Sequence, residues 1–202
     1  MTRVKLCGLS RPCDIEAANE LRPDYIGFVF APISRRRVTP ENAAKLKEML
    51  DPGIKAVGVF VDEAPQCVAA LLNAGVIDMA QLHGSEDDGY IARLRVLSDK
   101  PVIKAFRIGA EADMKTAEAS AADLILLDAG AGTGTVFDWG LIRRVGRPYF
   151  LAGGLDENNA AEAVKRLAPF AVDVSSGIET DGLKDKTKMA AFVNAVRKAD
   201  EI

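Results

Sequence analysis

The first residues with the makings of chemistry are Lys5-Leu6-Cys7-Gly8, where an apolar segment breaks into a loop. Strand alternation points Lys5 and Cys7 to the same side. A nearby ammonium favours thiolate, the form of cysteine that acts as a base or nucleophile. The plainer alternative is a small buried filler. Asp128 closes the apolar run Leu124-Ile125-Leu126-Leu127. A carboxyl at a partly desolvated rim holds its proton longer and serves as an acid near neutrality; otherwise it is a cap or a lysine partner. His83 is the single histidine and ends Gln81-Leu82-His83. It is a candidate proton carrier or a hydrogen-bonded structural residue, and alone it anchors no usual zinc site.

Two anion-binding features accompany these groups. Gly153-Gly154 opens into a helix, and Ser175-Ser176-Gly177 follows a later apolar run. Their N–H groups, with the Ser175 and Ser176 hydroxyls, suit a phosphate dianion; the alternative is a pair of plain turns. Ser34-Arg35-Arg36-Arg37 carries three consecutive arginines. By default these form a solvated charge run, but a planar guanidinium also grips a substrate carboxylate in bidentate fashion.

The elements that must hold these residues alternate along the chain. Short apolar runs near 4–7, 24–30, 55–61, 78–83, 102–106, 123–128, 148–152 and 171–175 read as strands. Amphipathic stretches between them read as helices, the first over 11–21 with Ser10 as N-cap and another over 40–50 with Thr39 as N-cap. Further helices are expected over 65–73 closed by Gly75, 86–97, 111–120, 157–167 and 185–198, with a short one near 138–145. Near-continuous apolar strands alternating with helices mean a parallel sheet covered by helices. Eight such units predict an α/β fold, a single-domain (β/α)8 TIM barrel over residues 1–202. A doubly wound open sheet is disfavoured because no GxGxxG follows the first strand. In a barrel, chemistry collects at the C-terminal strand ends, where Cys7, His83, Asp128 and both glycine-containing turns fall.

Composition narrows the partners. The chain has 202 residues, 49% hydrophobic and 27% charged, with a formal net charge of -3. That balance, with few aromatics, excludes a nucleic-acid footprint. Cys7, Cys13 and Cys67 are odd in number and form no CxxC pair, which argues for reduced thiols in a cytoplasmic protein and against a disulfide framework or zinc site. No signal-peptide h-region and no membrane-length apolar run appears. The expected partner is a small anionic sugar phosphate, with no nucleic acid and no membrane; monomer and homodimer both remain open.

The set of short matches resembles the phosphoribosylanthranilate isomerase family of tryptophan biosynthesis. It comprises Val4–Gly8, Gly27–Phe30, Ser34–Arg36, Val57–Val61, Gln81–Gly84, Leu127-Asp128, Gly132–Gly134, Phe137–Trp139, Leu151–Leu155 and Val172–Gly177, in order from first strand to last. The resemblance implies an Amadori rearrangement of N-(5-phosphoribosyl)anthranilate to 1-(2-carboxyphenylamino)-1-deoxyribulose 5-phosphate, without metal or organic cofactor. Carried over, Cys7 is the general base, Asp128 the general acid and Arg36 the holder of the anthranilate carboxylate. Gly153, Gly154, Ser175, Ser176 and Gly177 form the phosphate site. Lys5, His83 and Asp173 stand as supporting positions, Lys5 as a cation that favours the Cys7 thiolate. Ala131 replaces a frequent family glycine, and Asp156–Asn159 lacks a frequent proline. The competing readings are a barrel that only binds a phosphorylated metabolite, or another sugar-phosphate isomerase or epimerase. The lone histidine and the cysteine at the first strand end speak against an epimerase.

Overall fold

The apolar runs form eight strands: β1 (Arg3–Cys7), β2 (Tyr25–Val29), β3 (Lys55–Phe60), β4 (Met79–Leu82), β5 (Val102–Arg107), β6 (Leu124–Asp128), β7 (Tyr149–Ala152) and β8 (Ala171–Val174). All pair in parallel in chain order, and β8 returns to β1 to close the barrel. The computed structural model describes residues 1–128, 139–142 and 145–201, with the Leu141 side chain left aside. The loop 129–138, which carries Gly132–Gly134 and Ala131, lies outside the described residues. Seven helices flank the described strands: α1 (Pro12–Leu21), α2 (Pro40–Met49), α3 (Pro65–Asn73), α4 (Asp88–Leu97), α5 (Glu111–Ala119), α6 (Ala160–Leu167) and α7 (Lys186–Ala199). None of the described helices is long and apolar enough to cross a membrane.

Alternation along the strands sorts side chains into two layers. One set, including Leu6, Ile26, Phe28, Ala56, Leu82, Ile125 and Val172, packs outward against the helices. The other, including Tyr25, Val57, Met79, Ile103, Leu126, Phe150 and Ala171, fills the barrel interior. Tyr25, Phe150 and Phe170 meet edge to face, with centroids 5.3 Å and 5.8 Å apart, and Arg3 lies 4.3 Å over the Phe170 ring. These aromatic contacts pack the N-terminal end of the interior. Among the described residues, the buried polar residues on the inward face are Lys5, Gln81 and Asp173.

Helix starts follow side-chain chemistry. Thr39 Oγ1 accepts from the Asn42 N–H at 3.2 Å, as expected for an N-cap. Asp87 and Asp185 cap α4 and α7 likewise. At α1 the expectation of Ser10 fails: the cap position is Arg11. The Asp14 carboxylate, at the third helical position, reaches back to the Ser10 and Arg11 N–H groups, both at 3.0 Å, and closes the first turn around Arg11. α6 starts at Ala160 instead of 157, because the Asp156 carboxylate accepts from Asn158 and Asn159 N–H groups in a turn. Near 138–145 the described part is a single 3-10 turn, Trp139–Leu141.

One element was not anticipated. After β8, a 3-10 turn (Ser176–Ile178) leads into a hairpin of β9 (Glu179–Thr180) and β10 (Leu183–Lys184). Its turn residues Asp181 and Gly182 have φ of 52° and 78°. Asp-Gly is the dipeptide that tolerates two left-handed residues, so the hairpin was there to be read. Its strands are only two residues long, too short for a periodic signal.

Candidate active site

β1 carries Lys5 and Cys7 into the barrel. Cys7 pairs with Gly27 across the β1–β2 ladder, and a Cβ at Gly27 would meet the Cys7 Sγ at 2.6 Å. The missing side chain is therefore what seats the thiol. Cys7 packs with Val29 and Val59, an apolar wall that leaves it 7% exposed. Lys5 is fully buried and its Nζ lies 2.9 Å from Asp173 Oδ2 on β8, with its charge also acting on Cys7. Asp173 Oδ1 is buried without a hydrogen-bond partner among the described residues.

These surroundings set the thiol. Burial pushes the Cys7 thiol above its ordinary value, Lys5 pulls it down, and Asp173 pushes it up again. The net direction is upward, so the expected pull of Lys5 toward thiolate is present but does not prevail. Lys5 acts in the expected direction, but desolvation is larger and Asp173 shares its charge. The Lys5 ammonium is itself held above its usual value: burial works against the charge, and contact with Asp173 and Cys7 outweighs it.

Across the mouth, β6 ends in Asp128, half-buried at the rim. His83 follows β4 and places Nε2 3.4 Å from Asp128 Oδ2. Gln81 Nε2 lies 3.1 Å from His83 Nδ1. With the Gln81 amide so assigned, Nδ1 accepts and Nε2 carries the proton toward Asp128. The carboxylate and the imidazole thus form one unit.

The arginine run divides by environment. Arg35 and Arg37 are exposed, whereas Arg36 is half-buried and lines the mouth. Its Nε and Nη2 donate to Glu179 Oε1 and Oε2 at 2.5 Å and 2.8 Å. Lys184 Nζ donates to Glu179 Oε1 at 2.6 Å and to the Ser175 carbonyl at 2.8 Å. The Ser175 hydroxyl donates to the Cys7 carbonyl at 3.2 Å and accepts from Lys184 at 3.3 Å. Its one proton is therefore committed to the Cys7 backbone, not turned to an anion. Glu179 and Lys184 were absent from the sequence-derived set. The signal that could have found them is their place on a hairpin beyond β8, at the functional end of the barrel.

The glycine turns after β7 and β8 pack together. Gly153 and Gly154 are both left-handed, with φ of 93° and 64°. A Cβ at Gly177 would collide with the Leu155 carbonyl oxygen, so the two turns touch through a position only glycine fits. The Asn159 side chain locks this arrangement by donating to the Gly154 carbonyl at 2.8 Å.

All these groups converge. A mouth cavity of about 230 Å³ is lined by Cys7, Arg36, Gln81, His83, Asp128, Asp173, Gly153, Gly154, Ser175 and Ser176, with Val29 and Val59 as apolar wall. Lys5 lies beneath this lining behind Cys7 and Asp173, and Gly177 braces it from behind. The arrangement offers a thiol and a carboxyl over one space, with a guanidinium and backbone amides for anions.

Comparison with known proteins agrees over the whole length. Residues 4–195 match the family model described as N-(5'phosphoribosyl)anthranilate (PRA) isomerase. The N-(5'-phosphoribosyl)anthranilate isomerase of Endomicrobium trichonymphae is 42% identical over 202 residues, covering 98% of this chain and 99% of the relative. That of Dechloromonas aromatica is 44% identical, covering 99% and 98%. A phosphoribosyl anthranilate isomerase crystallised with reduced 1-(o-carboxyphenylamino)-1-deoxyribulose 5-phosphate superposes with a TM-score of 0.88 at 36% identity, covering 98% of this chain and all of that one. The Thermotoga maritima enzyme gives 0.90 at 36% identity, with 98% of this chain covered. With its barrel, its mouth residues and its full-length relatives in accord, this chain belongs to the phosphoribosylanthranilate isomerase family.

Proposed function

We propose that residues 1–202 form one catalytic domain that converts N-(5-phosphoribosyl)anthranilate to 1-(2-carboxyphenylamino)-1-deoxyribulose 5-phosphate in cytoplasmic tryptophan biosynthesis. The observation that carries this reading is the mouth cavity onto which Cys7, Asp128, Arg36 and the two glycine turns all open. A relative of the same fold was crystallised with a reduced form of that product, which supports a ligand of this class for the cavity.

Asp128 is the general acid. It protonates the furanose ring oxygen, the C1–O bond breaks, and the anilino nitrogen lone pair forms a C1=N iminium. His83 beside the carboxylate stabilises the negative charge that the departing proton leaves. Cys7 as thiolate then removes the C2 proton, and the C–H electrons move to C1=C2 and neutralise the iminium. The resulting enolamine tautomerises to the ketone. The substrate iminium is the electron sink, so the residues named carry the whole reaction.

The raised Cys7 thiol fits this order of events. A resting neutral thiol in an apolar wall ionises more readily once a cationic iminium lies beside it. Arg36 holds the anthranilate carboxylate. Backbone N–H groups of Gly153, Gly154, Ser176 and Gly177, with the Ser176 hydroxyl, receive the phosphate.

The test is turnover without added metal, followed as loss of substrate fluorescence, with substrate made in place from anthranilate and phosphoribosyl pyrophosphate by a coupling transferase. Wild type should consume it rapidly. Cys7→Ala and Asp128→Asn should each lose about 10²–10⁴-fold in kcat, the range for a missing acid or base. Turnover that survives Cys7→Ala would remove the thiol from the mechanism.

A further inference from the structure

The Arg36 guanidinium has five N–H donors arranged in a fixed fork, with two edges able to meet a carboxylate. One edge, Nε with Nη2, is already taken by both oxygens of Glu179. Three donors remain, among them the two Nη1 hydrogens, and they form the second carboxylate-matching edge. Arg36 is thus engaged without being used up.

The anchoring end is buried and the arginine is not. Side-chain exposure is 9% for Glu179 and 2% for Lys184, against 32% for Arg36. Lys184 places its three donors on Glu179 Oε1, the Ser175 carbonyl and the Ser175 hydroxyl. The Glu179 carboxyl is held below its usual value: burial opposes its charge, and hydrogen bonds from Arg36 and Lys184 more than offset that. The stem of Arg36 runs over Gly8, where an added Cβ would meet its Cδ at 2.5 Å. The guanidinium is therefore set beside the base through a fixed path.

We infer that Glu179, seated by Lys184, is the positioning residue for substrate-carboxylate recognition, because it clamps one edge of Arg36 and leaves the other as a rigid carboxylate receptor. The cluster of Arg36, Glu179 and Lys184 carries one net positive charge, enough for one carboxylate. Without Glu179, two cations would face each other and Arg36 would swing free. The proposal rests on Arg36 as the carboxylate-binding residue.

Two ligands test it: reduced 1-(o-carboxyphenylamino)-1-deoxyribulose 5-phosphate and its counterpart lacking the carboxylate. Their Kd values are measured by titration calorimetry for wild type, Arg36→Met and Glu179→Gln, with circular dichroism to verify folding. A glutamine keeps the shape of Glu179 but turns one donor toward the guanidinium, which breaks the two-point clamp. The wild type should prefer the carboxylated ligand by at least about tenfold, as for one charge-assisted hydrogen bond. Arg36→Met and Glu179→Gln should each erase most of that preference, while the carboxylate-free ligand binds within about twofold of wild type. A preference lost in Arg36→Met but kept in Glu179→Gln overturns the positioning role and leaves Arg36 in place. Preference retained in Arg36→Met defeats the carboxylate assignment and the proposal with it. Equal weakening of both ligands by Glu179→Gln makes Glu179 a structural brace and also overturns it. If Glu179→Gln fails to fold, Lys184→Met replaces it with the same two ligands, since Lys184 seats the clamp from behind. Loss of the preference then supports the positioning role, and a preference kept, or both ligands weakened equally, overturns it.

Discussion

Among the described residues, two buried lysine–carboxylate pairs start from barrel strands and lie on opposite faces of the sheet. Lys104 lies between the inward Ile103 and Ala105 and so points outward, where its Nζ meets Glu86 Oε2 at 3.0 Å and the Gly84 and Leu82 carbonyls at 2.7 Å and 3.4 Å. Glu86 also accepts the Asp62 and Gly84 N–H groups. Every donor of that ammonium has an acceptor, and both carboxylate oxygens are engaged. Lys5 points inward to Asp173, and there the accounting stays open. Asp173 Oδ1 has no partner among the described residues, and the Lys5 charge also acts on the Cys7 thiol. A closed set of hydrogen bonds staples a loop to a strand. An open one, bordering the cavity, leaves charge free to act on a thiol.

The contrast can be broken most severely at the thiol. Cys7→Ala should abolish nearly all turnover, by about 10²–10⁴-fold, while its denaturation midpoint stays close to wild type. Lys104→Met should do the reverse. It leaves Glu86 buried without its cation, costing about 3–5 kcal/mol in denaturant unfolding, with kcat per folded molecule unchanged. A fall in kcat with no loss of stability would mean that the outer pair also serves the site.

Smaller changes sharpen the comparison. Gly27→Ala forces a Cβ against the Cys7 sulfur and should cost about 1–3 kcal/mol in thermal or denaturant unfolding, as overpacking does. The pH profile of kcat/KM should rise through a limb above the usual cysteine value, because burial and Asp173 hold the thiol protonated in the free enzyme. The sign for Asp173→Asn follows directly. Removing an anion removes a penalty on thiolate, so the limb should move to lower pH. A limb that moves upward would mean that losing the order of Lys5 matters more than losing the anion.

Much of this was legible in the chain because it is local. Apolar runs of parallel strands, Thr39 before Pro40 and Gly75 after α3 each announce themselves within a few residues. Strand ends then placed Cys7, His83, Asp128, Gly153 and Ser176 at one mouth. What stayed hidden spans the sequence. Lys5 and Asp173 are 168 positions apart, and Arg36 and Glu179 are 143 apart, so no local pattern links them. The balance at Cys7 was also out of reach, since alternation shows that Lys5 faces the thiol but not how dry the wall of Val29 and Val59 is. Ser10 misled because the turn is closed from its far end: Asp14 binds the Ser10 and Arg11 N–H groups, and the cap falls one residue later, at Arg11.

The most direct test of the division between the two pairs is the rate of Cys7 alkylation against pH. It would be read by mass spectrometry on the Cys7 peptide, since Cys13 and Cys67 are exposed and react independently. Wild type should show a thiol pKa above that of a free cysteine, Lys5→Met a higher one, Asp173→Asn a lower one, and Lys104→Met the wild-type value. An unchanged pKa in Lys5→Met, or a shift in Lys104→Met as large as that in Lys5→Met, would contradict the account.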